Sequence, residues 1–180
     1  SYASKKFLYL GGAAYIKGFY TLIKALDYLE NDIKVLFAGN YNRVKQSKNF
    51  FTTFLRRILL KDKKRKAALK KLKYSNNSIK VGMINDVHQY LKDVCCLLSP
   101  FSVPHFSRPV IEAHLHKKPA IGSDVEGMNE IIKHKRDGLI VPKNNPQALA
   151  QAINFIASNQ NIAEKYGKAG YKTAIKKFTP

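Results

Sequence analysis

The sequence predicts an α/β fold, a single Rossmann-like domain with a six-stranded parallel sheet and helices on both faces. Short runs of β-branched, aromatic and aliphatic residues alternate along the chain with longer segments of helical period. This alternation is typical of βαβ units, whose strands are parallel and covered on both faces. The 180 residues, of which 45% are hydrophobic, suffice for one domain with a hydrophobic core.

The individual elements follow from these two kinds of segment. The six apolar runs predict strands at 7–11, 34–38, 79–82, 95–99, 119–122 and 138–142. Segments of helical period predict helices at 17–30, about 50–72, 86–93, 108–117, 127–134, 146–158 and 161–176. No internal repeat and no long Pro- or Ser-rich linker breaks the order, so we expect one domain over 1–180.

The positive charge is concentrated in one segment. The formal net charge is +20, and residues 42–73 hold 13 basic residues and a single acid, Asp62. A surface of this kind raises the local concentration of phosphate, anionic lipid or nucleic acid. A general bias of the sequence toward Lys, Asn and Ile is the alternative explanation.

This basic insert, about 41–77, lies between the second and third strands. Its apolar residues recur at helical spacing, at Phe51, Phe54, Leu55, Ile58, Leu59, Leu69 and Leu72. Two interpretations stay open: a sheet-covering helix with a solvated basic face, or a helix that lies on an anionic membrane. Nucleic acid is disfavoured, because the most basic part, 61–73, has no interleaved aromatic residues for base stacking.

Several other classes of protein are disfavoured. No apolar run approaches the roughly 20 residues that span a bilayer, and the first apolar run is too short for a signal peptide. We therefore expect a cytoplasmic protein, or one peripheral to the inner face of the plasma membrane. Cys95 and Cys96 are adjacent in an apolar run and are expected to be reduced core thiols. No zinc-type Cys spacing occurs, and His114 and His116, two apart on a helix, cannot share a face.

The loop from Pro100 to Pro109 is the strongest candidate for a ligand site, because it leaves the carboxyl end of the fourth strand and opens into a helix. Ser107 is a good N-cap, and Pro109 fits the first helical turn. The amides of Phe106, Ser107 and Arg108 can then face a phosphate, which the helix dipole and the Arg108 guanidinium also attract.

Glu112 lies one turn into the same helix. A carboxylate that touched a diphosphate would repel it, but at this distance it can accept hydrogen bonds from ribose hydroxyls. The spacing therefore fits a clamp for a nucleoside diphosphate. An ordinary capped helix with an exposed Glu is the alternative.

The segment from Ser99 to Ile132 resembles the central signature of the family 4 retaining glycosyltransferases. The matching residues are Phe106, Pro109, Glu112-Ala113, Lys118-Pro119-Ala120, Ser123-Asp124, Gly127 and Glu130-Ile131-Ile132. The resemblance extends to Leu8-Tyr9-Leu10-Gly11, Lys17-Gly18, Leu22-Ile23-Lys24-Ala25, 137–142 and 145–150. It covers nearly the whole chain except the basic insert.

The resemblance implies one half of a GT-B fold, which binds a UDP- or GDP-linked sugar without a metal or other cofactor. Lys17 matches the residue that neutralises the leaving diphosphate, and Glu112 matches the one that holds the ribose; we treat both as catalytic. Donor-binding residues are expected in the opening turn, in the turn after the third strand and in the loop before the helix: Gly11, Gly12, Lys17, Met83, Ile84, His105, Phe106, Ser107, Arg108 and Glu112.

Some residues depart from the family pattern. Pro104 replaces the first Glu of the motif, and His105 and Ser107 replace its two glycines. Gly12 stands where the family has a phosphate-binding Arg, and Arg108 stands where it usually has an apolar residue. We hypothesise that Arg108 restores the lost charge, and that His105 either restores the sugar contact of the missing Glu or is a surface histidine without a role.

The resemblance also implies partners. A GT-B enzyme closes two Rossmann-like domains around its substrates, and this sequence matches only the donor-binding, C-terminal one. We therefore expect the acceptor-binding N-terminal domain as a partner, and no transfer by this chain alone. A degenerate, non-catalytic module and a polyanion-binding or membrane-binding domain are the alternatives. The acidic run Asp124-Val125-Glu126 resembles a metal motif of the other large glycosyltransferase fold, but its position fits the metal-free loop of family 4 better.

Overall fold

The computed structural model of the chain describes residues 2–41 and 53–178, and side chains within 2–41 and 63–178. The strands are β1 (Lys6–Tyr9), β2 (Lys34–Ala38), β3 (Ser78–Gly82), β4 (Cys96–Ser99), β5 (Ala120–Ser123) and β6 (Gly138–Val141). The helices are α1 (Phe19–Ala25), α2 (Thr53–Tyr74), α3 (Val87–Asp93), α4 (Arg108–Leu115), α5 (Met128–Ile131), α6 (Pro146–Ser158) and α7 (Gln160–Phe178). Two 3-10 turns, Tyr15–Lys17 and Leu26–Tyr28, flank α1.

The six strands form one parallel sheet in the order β3-β2-β1-β4-β5-β6. This confirms the predicted fold class. Leu8 of β1 is in register with Leu36 of β2 on one side and with Leu97 of β4 on the other. The strand order reverses between β1 and β4, and the crevice at such a switch point is where ligands bind in this class of sheet.

Alternate residues of the strands pack into two separate hydrophobic cores, one on each face of the sheet. Phe7, Tyr9 and Phe37 pack on one face together with apolar residues of α1 and α6. Leu8 and Leu97 point to the opposite face, where residues of α3, α4 and α5 cover them. Because successive side chains of a strand point to opposite faces, each strand contributes apolar residues to both faces, and helices cover both.

Glycines set several boundaries away from their predicted positions. Gly12 has φ of +57° and turns the chain, so β1 ends at Tyr9 and not at residue 11. Gly18, with φ of +76°, separates the turn that contains Lys17 from α1, so the predicted helix at 17–30 was too long. The predicted helix at 127–134 was also too long, because Gly127 is left-handed and Ile132 is extended at the two ends of α5.

The two cysteines are buried and reduced, as expected. Cys95 immediately precedes β4, so the prediction of a strand from residue 95 was one residue early. Burial raises the pKa of the Cys95 thiol to about 12 and also raises the pKa of Cys96. Neither thiol is therefore a ready nucleophile or metal ligand.

The basic insert contains the long helix α2, which covers the first face of the sheet. Ala68 and Leu72 are buried there and Leu69 packs against the same core, as a sheet-covering helix requires. Residues 42–52, with Phe51, lie outside the described residues, and so do the side chains of Phe54, Leu55, Ile58 and Leu59. None of the described helices has both the length and the apolar character needed to cross a membrane.

Candidate functional site

A small open cavity of about 100 Å³ lies at the carboxyl ends of β1 and β4, the switch point of the sheet. It brings together four residues that the sequence predicts for the donor site: Gly11, Lys17, His105 and Ser107. The remaining lining residues are Tyr9, Leu10, Leu97, Leu98, Ser99, Phe101 and Pro109. The lining that is described contains a cation and hydroxyl groups but no carboxylate.

The loop that carries Lys17 is fixed to the end of β4. The amide of Ser102 donates to the carbonyl of Ile16 at 3.0 Å. Gly18 lies against the main chain of Pro100, and a Cβ at position 18 would be 1.7 Å from the Pro100 carbonyl oxygen. These two contacts hold Lys17 opposite the loop that leads into α4.

Gly12 is buried beneath the same edge and does not line the cavity. Its amide donates to the carbonyl of Ala38 at 3.1 Å, and a Cβ would lie 2.6 Å from the carbonyl oxygen of Asn40. An arginine at position 12 would therefore clash with the main chain after β2. Position 12 therefore holds no cation, and the two neighbouring turns leave no room there for a larger side chain.

The N-terminus of α4 faces the same edge of the sheet. Within the described chain, the amides of Phe106, Ser107 and Arg108 donate to no backbone carbonyl. Ser107 is the N-cap residue, as predicted, but its side chain makes no capping bond. Its hydroxyl is turned toward β4 and pairs with the hydroxyl of Ser99 at 3.0 Å. Ser107 is thus the predicted N-cap by position, while a tertiary partner takes the place of the helix amides at its hydroxyl.

His105 stands between Lys17 and the apolar side of the cavity. Its ring stacks on Phe101, with centroids 3.7 Å apart and planes 10° apart, and its amide donates to the carbonyl of Glu126 at 2.9 Å. Burial, and then the positive charge of Lys17, lower the pKa of the imidazole. The ring is therefore neutral near pH 7, and it can donate one hydrogen bond into the cavity without adding charge.

Three other predicted site residues, in the loop before α4 and in its first turns, do not line the cavity. Phe106 is half exposed, and the centroid of its ring is 6.1 Å from that of the Phe178 ring. Arg108 is exposed at the first residue of α4 and forms no ion pair with any described residue. Glu112 is half-buried one turn further along the helix. The structure therefore leaves their contact with a ligand as a prediction.

Met83 and Ile84 follow β3, at the edge of the sheet. Strands lie about 4.8 Å apart, so this turn is about 10 Å from the end of β1. Met83 is 73% exposed, whereas Ile84 packs against the core of the second face. The two residues are therefore separate from the cavity, at a distance that an extended ligand would have to bridge.

Two polar residues of the cavity, Tyr9 and Ser99, were not among the predicted site residues. The hydroxyl of Tyr9 is buried and has no hydrogen-bond partner in the part of the chain that is described. Burial also raises the pKa of Tyr9, so the phenol keeps its proton. The sequence carried one signal, namely a polar atom at the end of each of two otherwise apolar strands.

The acidic run at 124–126 and the histidines His114 and His116 were considered above as possible metal ligands. Over residues 2–41 and 53–178, no three His, Cys, Asp or Glu side chains come together as a metal site. The carboxylate of Asp124 accepts a hydrogen bond from the Asn129 amide at 2.8 Å. His114 is buried, whereas His116 pairs with His88 through ring nitrogens 2.6 Å apart, so His114 and His116 face different neighbours, as predicted.

The sequence matches a family model along almost its whole length. The model describes glycosyl transferases group 1, and it matches residues 3–173. Among curated proteins, O-antigen chain mannosyltransferase C of Escherichia coli is 23% identical over 178 residues, which are 96% of this chain and 42% of that protein. The chain spans less than half the length of the curated relatives that it matches.

Solved structures match the fold over nearly the whole of this chain. Anabaena HepE in complex with UDP-glucose superposes with a TM-score of 0.79 at 18% identity, over 97% of this chain and 45% of that one. The C-terminal domain of LpcC, a glycosyl transferase group 1 family protein from Francisella tularensis, has a TM-score of 0.75 at 18% identity. That match covers 96% of this chain and 85% of the LpcC domain.

Proposed function

The chain belongs to the group 1 glycosyl transferases, and we propose that it binds the nucleotide-sugar donor for transfer of a glycosyl group to a glycan or lipid-linked acceptor. One observation carries the proposal. The crevice at the β1/β4 switch point offers a lysine and hydroxyl groups and has no carboxylate in its described lining; at the same edge, the first amides of α4 donate to no described backbone carbonyl. Such a set of donors suits a diphosphate.

Lys17 is the residue that we assign to the leaving diphosphate. It lines the crevice, and the contacts of Gly18 and Ser102 fix its loop. A preorganised cation stabilises charge that develops in a transition state without reorganisation of the site. We assign the amides of Phe106, Ser107 and Arg108 to the same phosphates. These groups supply the positive charge, so no metal ion is needed for donor binding.

The rest of the donor extends along the rim. Glu112 accepts hydrogen bonds from the ribose, and the main chain at Met83 and Ile84 meets the base, which is uracil or guanine. The turn after β3 is about 10 Å from the end of β1, two strand spacings away, and we expect the nucleoside to extend over this distance. His105, neutral and beside Lys17, is the candidate for a contact to the donor sugar.

Transfer proceeds with retention at the anomeric carbon of a hexose, and it requires an acceptor-binding domain. The resemblance to family 4 supports retention. The second domain is supported by coverage, because the chain spans 42% of the mannosyltransferase relative and 45% of HepE. Catalysis by the isolated chain is therefore not expected.

Calorimetry on the chain with UDP, GDP, UDP-glucose and uridine tests the donor site, each ligand with and without EDTA. We expect a diphosphate to bind more tightly than uridine, and EDTA to have no effect. A short DNA duplex at low and moderate salt serves as a general polyanion. Absence of binding by every nucleotide would leave the degenerate, non-catalytic module, and tighter binding of DNA would favour a polyanion-binding domain.

A second candidate function concerns α2. Five lysines on its outer side are exposed and form no ion pair with the described residues: Lys63, Lys64, Lys66, Lys70 and Lys73. The helix turns Ala68 and Leu72 to the core. We propose that this basic face lies on an anionic membrane, as expected from the sequence for the basic segment 42–73. Each cation near such a surface contributes about 1 kcal/mol.

A further inference from the structure

Among the described residues, the hydroxyls of Ser99 and Ser107 leave one proton without an acceptor. Their oxygens are 3.0 Å apart, and the two residues are 4% and 1% exposed. Each hydroxyl carries one proton, and a single hydrogen bond between them uses one of the two. No carbonyl or carboxylate of the described residues accepts the second proton. A buried donor without an acceptor is costly, so this proton calls for a partner.

The spare proton belongs to a cavity that has other unused donors. Ser99 and Ser107 both line it, together with Lys17. The Tyr9 hydroxyl, buried on the opposite side of the sheet edge, lines the same cavity and also has no partner among the described residues. The amides at the start of α4 add further donors. A ligand that satisfies them must present several acceptor oxygens and negative charge.

We propose that the Ser99–Ser107 pair donates its spare hydroxyl proton to a phosphate oxygen of the donor. Ser107 makes the contact, and Ser99 is a positioning residue that donates to the Ser107 oxygen and so turns its proton toward the cavity. Two hydroxyls linked in series polarise each other, which strengthens the bond to a charged acceptor. The inference rests on the proposed function, and it adds to that function a hydroxyl relay anchored at the end of β4.

The position of Ser107 explains why this chain would use such a relay. Its amide stands at the N-terminus of α4, where an anion is attracted, and its side chain reaches the end of β4. The cation that position 12 cannot hold is missing from the same edge, because a Cβ there would meet Asn40. A hydroxyl that donates to a phosphate oxygen supplies part of the lost attraction without a larger side chain.

The test compares Ser107→Ala, Ser107→Gly, Ser99→Ala and the double Ser99→Ala/Ser107→Ala variant by calorimetry. The ligands are UDP, inorganic pyrophosphate and uridine. Ser123→Ala is the matched control, because Ser123 is equally buried at the end of the neighbouring strand but does not line the cavity. Circular dichroism and melting temperatures check that each variant is folded before it is titrated.

We expect Ser107→Ala and Ser107→Gly to lower the affinity for UDP and for pyrophosphate about tenfold. This is the effect of losing a hydrogen bond to a charged group. Ser99→Ala should weaken both about threefold, since the Ser107 hydroxyl remains but loses its orientation. The double variant should bind like Ser107→Ala, because the two residues act through one contact. Uridine should bind all variants as it binds the parent, and Ser123→Ala should match the parent throughout.

Parent-like affinity of both Ser107 variants for UDP and pyrophosphate would overturn the inference and leave only the amides and Lys17 at the phosphates. The same holds for an equal loss of uridine and pyrophosphate binding, which would indicate a structural role. Failure of the parent itself to bind UDP would instead overturn the proposed function. The behaviour of the parent therefore separates the two failures.

Discussion

Gly18 lies so close to Pro100 that a Cβ at position 18 would be 1.7 Å from the Pro100 carbonyl oxygen. The two residues are 82 positions apart, and they join the turn after β1 to the loop after β4. Because Lys17 precedes Gly18, this contact sets the distance between the cation and the N-terminus of α4.

Substitution of Gly18 should therefore damage both stability and ligand binding. Gly18→Ala places a methyl group against a main-chain oxygen at a residue with φ of +76°. We expect a loss of about 2–4 kcal/mol in the free energy of unfolding, measured in urea, and weaker binding of UDP. Gly82→Ala is the control, because Gly82 also has positive φ, of +85°, but nothing within 4 Å of its Cβ position. It should cost about 1 kcal/mol. Equal losses in the two variants would contradict the tight contact.

Replacement of Glu112 tests the ribose assignment. Glu112→Ala removes an acceptor of two charge-assisted hydrogen bonds, so UDP should bind more weakly by about 1–3 kcal/mol in calorimetry. Pyrophosphate lacks the ribose, and its affinity should not fall. Glu126→Ala, at an exposed carboxylate outside α4, controls for the general loss of negative charge. Unchanged affinity for UDP would remove Glu112 from the site.

Replacement of Arg108 tests whether an exposed cation compensates for Gly12. Arg108→Leu should weaken the binding of UDP and of pyrophosphate by about 1.5–3 kcal/mol, the range for a hydrogen bond to a charged group. The affinity for uridine should not change. Adding arginine at position 12 is not a usable rescue, because its Cβ would lie 2.6 Å from the Asn40 oxygen. Arg108→Lys keeps the charge and should lose less. If Arg108→Leu binds pyrophosphate as the parent does, the guanidinium points into solvent.

Charge reversal on α2 tests the membrane proposal. Lys66→Glu, Lys70→Glu and Lys73→Glu together should reduce cosedimentation with phosphatidylglycerol vesicles at least tenfold, because each cation contributes about 1 kcal/mol. The matched control reverses three exposed lysines of α7, Lys165, Lys172 and Lys176. Phosphatidylcholine vesicles should recruit neither, and raised salt should release the parent, since 0.1 M salt screens beyond about 10 Å. If the two triple variants lose vesicle binding equally, the binding depends on the net charge of the protein and not on α2.

The buried His114 makes stability depend on pH. Burial is the main cause that lowers the pKa of His114, and the positive charge of Arg136 lowers it further. The charge of Asp137 and a hydrogen bond with its backbone act in the opposite direction. The ring also lies against Gly170 of α7, and its Nε2 has no partner among the described residues. The unfolded state therefore takes up a proton before the folded state does. Stability should fall as the pH drops below about 6.5, the ordinary pKa of histidine.

His114→Asn removes this titration and keeps a donor near the position of Nδ1. Urea unfolding between pH 5 and pH 8 should show a shallower acid slope, reduced by up to about 1.4 kcal/mol per pH unit. His105 and His116 also have lowered pKa values, so part of the slope should remain. An unaltered slope in His114→Asn would show that His114 does not set the pH dependence.

Much of the architecture could be predicted from the sequence because it depends on local patterns. The alternation of apolar runs with helical segments predicted six strands and their parallel direction, but not their order in the sheet. Asn145 and Pro146 begin α6 where the helical period starts, and Asp86 caps α3 through its own side chain. The loop between Pro100 and Pro109 was recognisable as a site because it follows an apolar strand and precedes a helix.

The tertiary structure decided what that loop does with its side chains. Ser107 has the residue type and backbone position of an N-cap, but its hydroxyl pairs with Ser99 across the loop. The turn at Gly12 meets Asn40, and Gly18 meets Pro100, so the site is shaped by contacts between residues far apart in the chain. Helical period and capping preference extend over a few residues only. They therefore determine where strands and helices occur, whereas close packing between distant turns determines which donors remain free to hold a ligand.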